Sequence, residues 1–102
     1  MKIVINVDFG GFGVSEAVYN ELGFEWDDYG YLTNEDFGIE SNNYYAYRSD
    51  SRLITAIEKI GTKKSSGFLA ALKIIEVPDG IEWDIDNYDG LESIHENHQS
   101  WS

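Results

Sequence analysis

Acidic residues dominate this chain, and they come in long runs that any fold has to keep in water. Nineteen Asp and Glu face seven Lys and Arg in 102 residues, a formal net charge of −12. From Glu76 to Glu96 there are eight carboxylates and no Lys or Arg. From Phe24 to Asp50 there are seven more, with Arg48 as the only base. Six of the seven bases lie between Arg48 and Lys73. Such a charge repels nucleic acid and anionic membranes and attracts basic surfaces, with a strength that falls as salt rises. The partner class this implies is a protein with a basic surface, with no direct nucleic-acid or membrane binding.

The chain nevertheless has a folding composition. It is 42% hydrophobic and 15% aromatic, whereas disordered acidic tails are poor in rings. The length suits a single domain spanning 1–102. The absence of cysteine excludes disulfides and thiolate metal sites. Met1 to Ile5 is too short an apolar run for a signal peptide, and no run approaches a membrane span, so a soluble cytoplasmic protein is expected.

Lys2 to Asp8 reads as a strand rich in β-branched residues. Phe9-Gly10-Gly11-Phe12-Gly13 follows as a loop, with Phe9 and Phe12 expected to anchor it to the core. Ser15 suits the N-cap of a short helix running to Leu22, with Gly23 as its stop. Phe24 to Tyr47 has no clean period and reads as loop, with short strands expected near Tyr29–Leu32 and Tyr44–Tyr47. The spacing predicts a helix over Ser49–Ile60, where Leu53, Ile54, Ile57 and Ile60 form one stripe, Ser49 or Asp50 caps the start and Gly61 ends it. Thr62 to Gly67 reads as a basic loop. Leu69–Val77 and Glu82–Tyr88 read as the two strands of a hairpin, one side apolar and one side acidic, joined by a turn at Pro78-Asp79-Gly80. Asp89-Gly90-Leu91-Glu92 has capping-box spacing, and Leu91, Ile94, His98 and Trp101 then recur as on a helix, with a continued strand as the alternative. The expected architecture is α+β. One small antiparallel sheet of three or more strands (Lys2–Asp8, Ala70–Val77, Glu82–Tyr88) is covered by one main helix and one or two short ones.

Three patterns bear on chemistry. Gly10, Gly11 and Gly13 with Ser15 have the layout of a phosphate cradle, but no Lys follows and no third glycine completes the dinucleotide fingerprint. The leading expectation is a tight strand-to-helix turn, and the alternative is an anion or nucleotide loop. Asp84 to Glu92 resembles a calcium loop, but Tyr88 and Gly90 fall at the wrong positions. His95 and His98 lack the glutamate of a metalloprotease helix. No metal, no cofactor and no catalytic residue is expected, and the chain reads as a non-enzyme.

The remaining constellation is aromatic and acidic. Glu25, Trp26, Asp27, Asp28 and Tyr29, then Glu35 and Asp36, then Tyr44, Tyr45 and Tyr47, place amphipathic rings among carboxylates. Tyr and Trp dominate interface hot spots, and spaced carboxylates can imitate the phosphates of a nucleic acid. These ten residues are the expected partner-binding surface. The competing reading makes the rings core and the acids a solvated rim.

The stretch Lys2-Ile3-Val4-Ile5-Asn6, continuing through Phe9-Gly10-Gly11-Phe12-Gly13-Val14-Ser15, resembles the opening of a family of small accessory proteins of tailed bacteriophages and prophages. Leu72 to Ile85, Tyr88-Asp89-Gly90-Leu91-Glu92, His98 and Trp101 resemble that family's C-terminal pattern, and Arg48-Ser49-Asp50 fits before the central helix. The likeness thins between Phe24 and Tyr47. It implies a phage anti-defence protein of the anti-CRISPR kind, inhibiting a host protein through its basic, nucleic-acid-handling surface, and brings no catalytic residues with it. A nucleotide-sequestering module and a phage structural or morphogenesis accessory protein are the alternatives. Target, host and oligomeric state stay open.

Overall fold

Strand β1 (Lys2–Asn6) lies at the centre of the molecule, because its alternating side chains are apolar on both faces. The computed structural model describes residues 1–96. Ile3 to Asn6 are all buried. β1 pairs antiparallel with β2 (Leu72–Glu76), with Val4 opposite Ile74 and Ile3 opposite Ile75. Among the described residues strands β3 (Trp83–Tyr88) and β4 (Leu91–Glu96) pair only with each other, so the hairpin expected across Pro78-Asp79-Gly80 does not form: β2 is taken by β1 and β3 by β4. The fold is therefore α+β with two two-stranded antiparallel sheets, not the single sheet of three or more strands that the sequence suggests.

The helices cover one face of the β1–β2 ribbon. Helix α1 (Glu16–Leu22) ends at Gly23, whose φ of 78° only glycine adopts without strain. Helix α2 (Ser51–Ile60) is capped by Asp50, which accepts the Arg52 backbone N–H. Leu53, Ile54 and Ile57 are buried against Val4 and Leu72, together with Val14, Val18 and Tyr19. Burial of this stripe removes large apolar area from water, at roughly 25 cal/mol per Å². Residues 62–67, expected as a loop, contain one further helical turn, α3 (Thr62–Ser65).

The opposite face of the ribbon is covered by the β3–β4 hairpin. Ile3 and Ile5 meet Trp83 and Ile85 there, with Ile75, Val77 and Ile94 packed beside them. The helix expected after Gly90 is a strand. Asp89 and Gly90 have φ of 50° and 91°, the two positive values that a two-residue hairpin turn of type I′ needs. Asn87 Oδ1 accepts the Gly90 N–H at 2.9 Å and closes the turn. Once that turn forms, Leu91 to Glu96 has a ready-made partner in β3, and the ladder outweighs the helical spacing of its apolar residues. His98 and Trp101, the far end of the expected helix, lie outside the described residues.

No strand forms at Tyr29–Leu32 or Tyr44–Tyr47. The chain instead makes two short 3-10 turns, Asn34–Phe37 and Ala46–Ser49. Two asparagines fix this segment. Asn34 Nδ2 donates to the Asn43 carbonyl (2.9 Å) while Asn34 Oδ1 accepts the Tyr47 N–H (2.8 Å). Asn43 Nδ2 donates to the Trp83 carbonyl at 2.9 Å and so ties the segment to β3. Among the described residues no helix is long and apolar enough to cross a membrane.

Candidate functional site

The ten residues of the expected binding surface divide according to what their side chains already hold. Trp26 packs edge-on against Tyr19 (centroids 4.9 Å apart), and Tyr47 is buried with its ring stacked on Phe37. Tyr45 is half-buried, 5.3 Å from the Arg48 guanidinium. Tyr47 is core and Trp26 and Tyr45 are half-buried against it, which favours for these three the competing reading of the rings as core. Burial pushes the Tyr47 hydroxyl above its ordinary pKa.

Two of the acids are also committed. Asp27 accepts the backbone N–H groups of Tyr29 (2.8 Å), Gly30 (2.6 Å) and Tyr31 (3.1 Å). Partial desolvation works to raise its pKa, but the three donors outweigh that and hold the carboxyl below its usual range. Beside it, the buried Tyr19 hydroxyl donates to the Tyr31 carbonyl, and burial with the neighbouring Asp27 charge pushes Tyr19 upward. Asp36 caps the first 3-10 turn by accepting the Thr33 N–H at 2.8 Å. Glu25, Asp28, Tyr29, Glu35 and Tyr44 are left exposed.

Of these, Glu35 and Tyr44 line the first of three recesses that share border residues and together are termed the furrow; no primary-structure spacing suggests it. Leu32, Thr33, Asn34, Glu35, Tyr44 and Tyr47 line one recess. Asn34 and Glu35 also border the next, with Gly38, Glu40 and Ser41. Ser41 leads into a third, of about 520 Å³, lined by Asn42, Asn43, Ile81, Glu82, Trp83 and Asp84. The Asn43–Trp83 hydrogen bond joins the two acidic runs of the sequence here. Glu35, Glu40, Glu82 and Asp84 all border the furrow, and no Lys or Arg does.

Four of the seven bases are held by carboxylates elsewhere. Lys2 pairs with Glu58 (2.6 Å), Lys59 with Glu21 (3.0 Å) and Arg52 with Asp50 (2.9 Å). Arg48 is buried. Its Nη1 and Nη2 bind the two carboxylate oxygens of the equally buried Glu92 at 2.6 and 2.9 Å. The guanidinium carbon lies 3.4 Å from the Phe12 ring centroid. Burial acts to discharge Arg48, but Glu92 and Tyr47 outweigh it, so its pKa is raised. Glu92, expected in a helix cap, thus closes a buried pair. The hairpin register puts it on the same face as Ile94 and Ile85, which is the inward face.

The glycine loop is occupied by backbone. A Cβ on Gly10 would overlap the Leu69 carbonyl, and one on Gly90 would overlap the Gly11 nitrogen. Gly13 lies against Gly30 and Gly67. Ser15 is the N-cap residue, but its hydroxyl donates to the Lys64 carbonyl (2.7 Å) and its N–H to the Ser65 carbonyl (2.8 Å). Phe12 is packed into the core as expected, whereas Phe9 is 60% exposed and anchors nothing. This geometry favours the tight-turn reading of the loop over the anion cradle.

Among the described residues no cluster of His, Asp and Glu has the geometry to hold a metal ion. His95 Nδ1 instead lies 3.0 Å from Asp86 Oδ2 across the hairpin. Comparison with protein-family models, with curated proteins and with solved structures returns no match.

Proposed function

We propose that this chain is a non-enzymatic, phage-encoded inhibitor that binds the basic, nucleic-acid-handling surface of a host defence protein. The observation that carries this reading is the furrow from Tyr44 and Glu35 through Glu40 to Glu82 and Asp84, which gathers carboxylates from both acidic runs and admits no base. Carboxylates spaced along a groove present a basic channel with what a nucleic-acid backbone presents, a row of anions beside flat rings. Tyr44, 77% exposed, is the ring in the right place. The fixed spacing of the acids costs the partner little, because the Asn34 and Asn43 bonds have already ordered the segment. The likeness of the two chain ends to phage accessory proteins points to the same partner class from a separate direction.

The test is competitive capture. Immobilised protein is exposed to nuclease-treated bacterial lysate and eluted with duplex DNA. Nucleic-acid-binding proteins should be retained and released by DNA or by salt. The variant Glu35→Lys, Glu40→Lys, Glu82→Lys, Asp84→Lys should retain none of them. Retention that is unaffected by this reversal and by DNA ends the proposal.

A further inference from the structure

A second exposed surface surrounds the glycine loop, at the other end of the hairpin from the acidic furrow. Gly10 is against Leu69, Gly11 against Gly90, and Gly13 against Gly30 and Gly67, so four loops converge backbone to backbone on this one point. β3 runs from Trp83 at the furrow to Tyr88 beside this point, so the two places are about 17 Å apart at 3.4 Å per residue.

Six of the eight large hydrophobic side chains left exposed among the described residues stand on these four loops or, for Tyr88, at the strand end beside them: Phe9, Tyr29, Tyr31, Phe68, Leu69 and Tyr88. Phe68 is 91% exposed, which a loop serving only to connect α3 to β2 has no reason to maintain. Leu69 is 62% exposed with a φ of 65°, a conformation that costs a branched residue energy and that glycine would adopt freely. The strained backbone costs stability, and the exposed side chain offsets none of it by burial. Tyr29 and Tyr31 stack on each other (5.9 Å, 10° between planes) rather than on the core.

The rim identifies the occupant. Asp8, Asp28 and Asp89 are exposed, and each adjoins one of the exposed rings in sequence, next to Phe9, Tyr29 and Tyr88. Lys63 and Lys64 on α3 are the cations nearest in sequence to Gly67. A second copy of the chain would bring the three Asp rims together, and an anionic membrane would meet the same repulsion. We propose that this end of the molecule docks a protein segment of apolar side chains flanked by Lys or Arg. The segment's apolar side chains cover Phe9, Phe68, Leu69 and Tyr88, and its cations meet Asp8, Asp28 and Asp89. This surface is independent of the acidic furrow and stands if the furrow fails its own test.

The probe is a cationic amphipathic peptide of Leu and Lys, with a Ser and Lys peptide of equal charge as control, titrated into isotope-labelled protein by NMR. The Leu/Lys peptide should move the amides of Phe9, Gly11, Phe68, Leu69 and Asp89 and bind about tenfold or more tightly than the control, a difference worth about 1.4 kcal/mol. Phe68→Ser should remove that preference without unfolding a side chain already in water. Leu69→Gly should weaken the peptide complex yet raise Tm, a pairing that a merely structural role for Leu69 would not give. Equal binding of the two peptides overturns the proposal, as do shifts confined to the furrow. Attachment to neutral phosphatidylcholine vesicles through these residues, or self-association through them in sedimentation, overturns it equally.

Discussion

The two edges of β1 are closed by different chemistry. Toward β2 the edge is an ordinary ladder, extended at its ends by the Val77 N–H to the Met1 carbonyl and the Val7 N–H to the Ala71 carbonyl, both 2.8 Å. Those bonds set the phase, so Val4 and Asn6 turn their backbone groups the other way. There the partner is a pair of side chains. Glu92 accepts the Asn6 N–H at 2.8 Å, and Arg48 donates to the Val4 carbonyl at 3.3 Å. The buried ion pair stands where a third strand would stand, which is why β3–β4 stacks on β1 instead of extending its sheet. Asn6 completes the edge, its Nδ2 donating to the carbonyls of Asp8 and Gly90 and its Oδ1 accepting the Ala71 N–H. A ladder tolerates side-chain changes because the backbone makes it. An edge closed by two side chains depends on both of them.

The largest expected effect follows from that dependence. Glu92→Ala leaves a buried guanidinium without its counter-ion and the Asn6 N–H without its acceptor, and should cost about 3–5 kcal/mol in denaturant melts. Arg48→Met should cost a similar amount. The double variant Arg48→Met, Glu92→Leu should cost clearly less than the two singles added together, because no uncompensated charge remains. Strict additivity would mean that the pair is not coupled and that the edge is held by packing alone.

The ladder side should respond through volume. Ile57 is fully buried where α2 meets Val4, and Ile57→Ala should cost about 2–5 kcal/mol through lost burial and the cavity left behind. That loss should not change between low and high salt, since no charge is involved. A loss below about 0.5 kcal/mol would put α2 outside the core, well under the usual cost of such a truncation.

How far each edge could be read from sequence differs in the same way. β1, α1, α2 and the turn at Pro78–Gly80 are legible because their signals are local: a β-branched run, an apolar stripe at helical spacing, and caps at Asp50, Gly23 and Gly61. β4 is harder. Leu91 and Ile94 fall three apart, as on a helix, and the deciding signal is the Asp89-Gly90 pair, whose role as a hairpin turn shows only once β3 is accepted as its partner. Arg48 and Glu92 are 44 residues apart, and no spacing rule joins them. The one trace was Arg48 as the only base in an acidic, aromatic stretch. The same stretch lacks any period, so composition cannot tell Trp26, Tyr45 and Tyr47, which are buried or half-buried, from Tyr29 and Tyr44, which are exposed. The furrow depends on Asn34 and Asn43, polar residues that carry no motif until their partners are known.

A smaller effect separates structural from bare carboxylates. Asp27 holds three backbone N–H groups, so Asp27→Ala should destabilise at neutral pH by about 0.5–1.5 kcal/mol. The sign with pH follows from its lowered pKa. The contribution is present in full above the unfolded carboxyl value near 4 and is lost as pH falls through the lower folded value. The gap between wild type and Asp27→Ala should therefore close in acid, as read from Tm against pH. A gap that stays constant down to pH ~2, far below the ordinary Asp pKa, would show that the carboxylate charge does not matter there.

The smallest effect on stability should come from the furrow acids, and the contrast with Glu92 is the point of the experiment. Glu82 and Asp84 sit on the same hairpin as Glu92, but Asp84 and Asp86 share the outward face of β3 while Glu92 points in. No Lys or Arg lines the furrow, so Glu35, Glu40, Glu82 and Asp84 hold no cation there that reversal could strand, and among the described residues the one hydrogen bond at stake is the Ile85 N–H that Asp84 accepts at 2.8 Å. Reversing all four to Lys should change stability by no more than about 0.5 kcal/mol per site, and relief of like-charge repulsion should push the sum toward stabilisation. Binding should respond in the opposite sense, with slower association and a weaker dependence on salt than the wild type shows. Tyr44→Ala, also neutral for the fold, should mainly speed dissociation, because a ring at the end of the furrow holds a complex that charge has already steered into place. One hairpin would then carry a carboxylate the fold cannot lose and two that it does not need. If the reversed protein unfolds instead, the furrow acids are structural like Glu92, and a partner-binding role is no longer required to explain them.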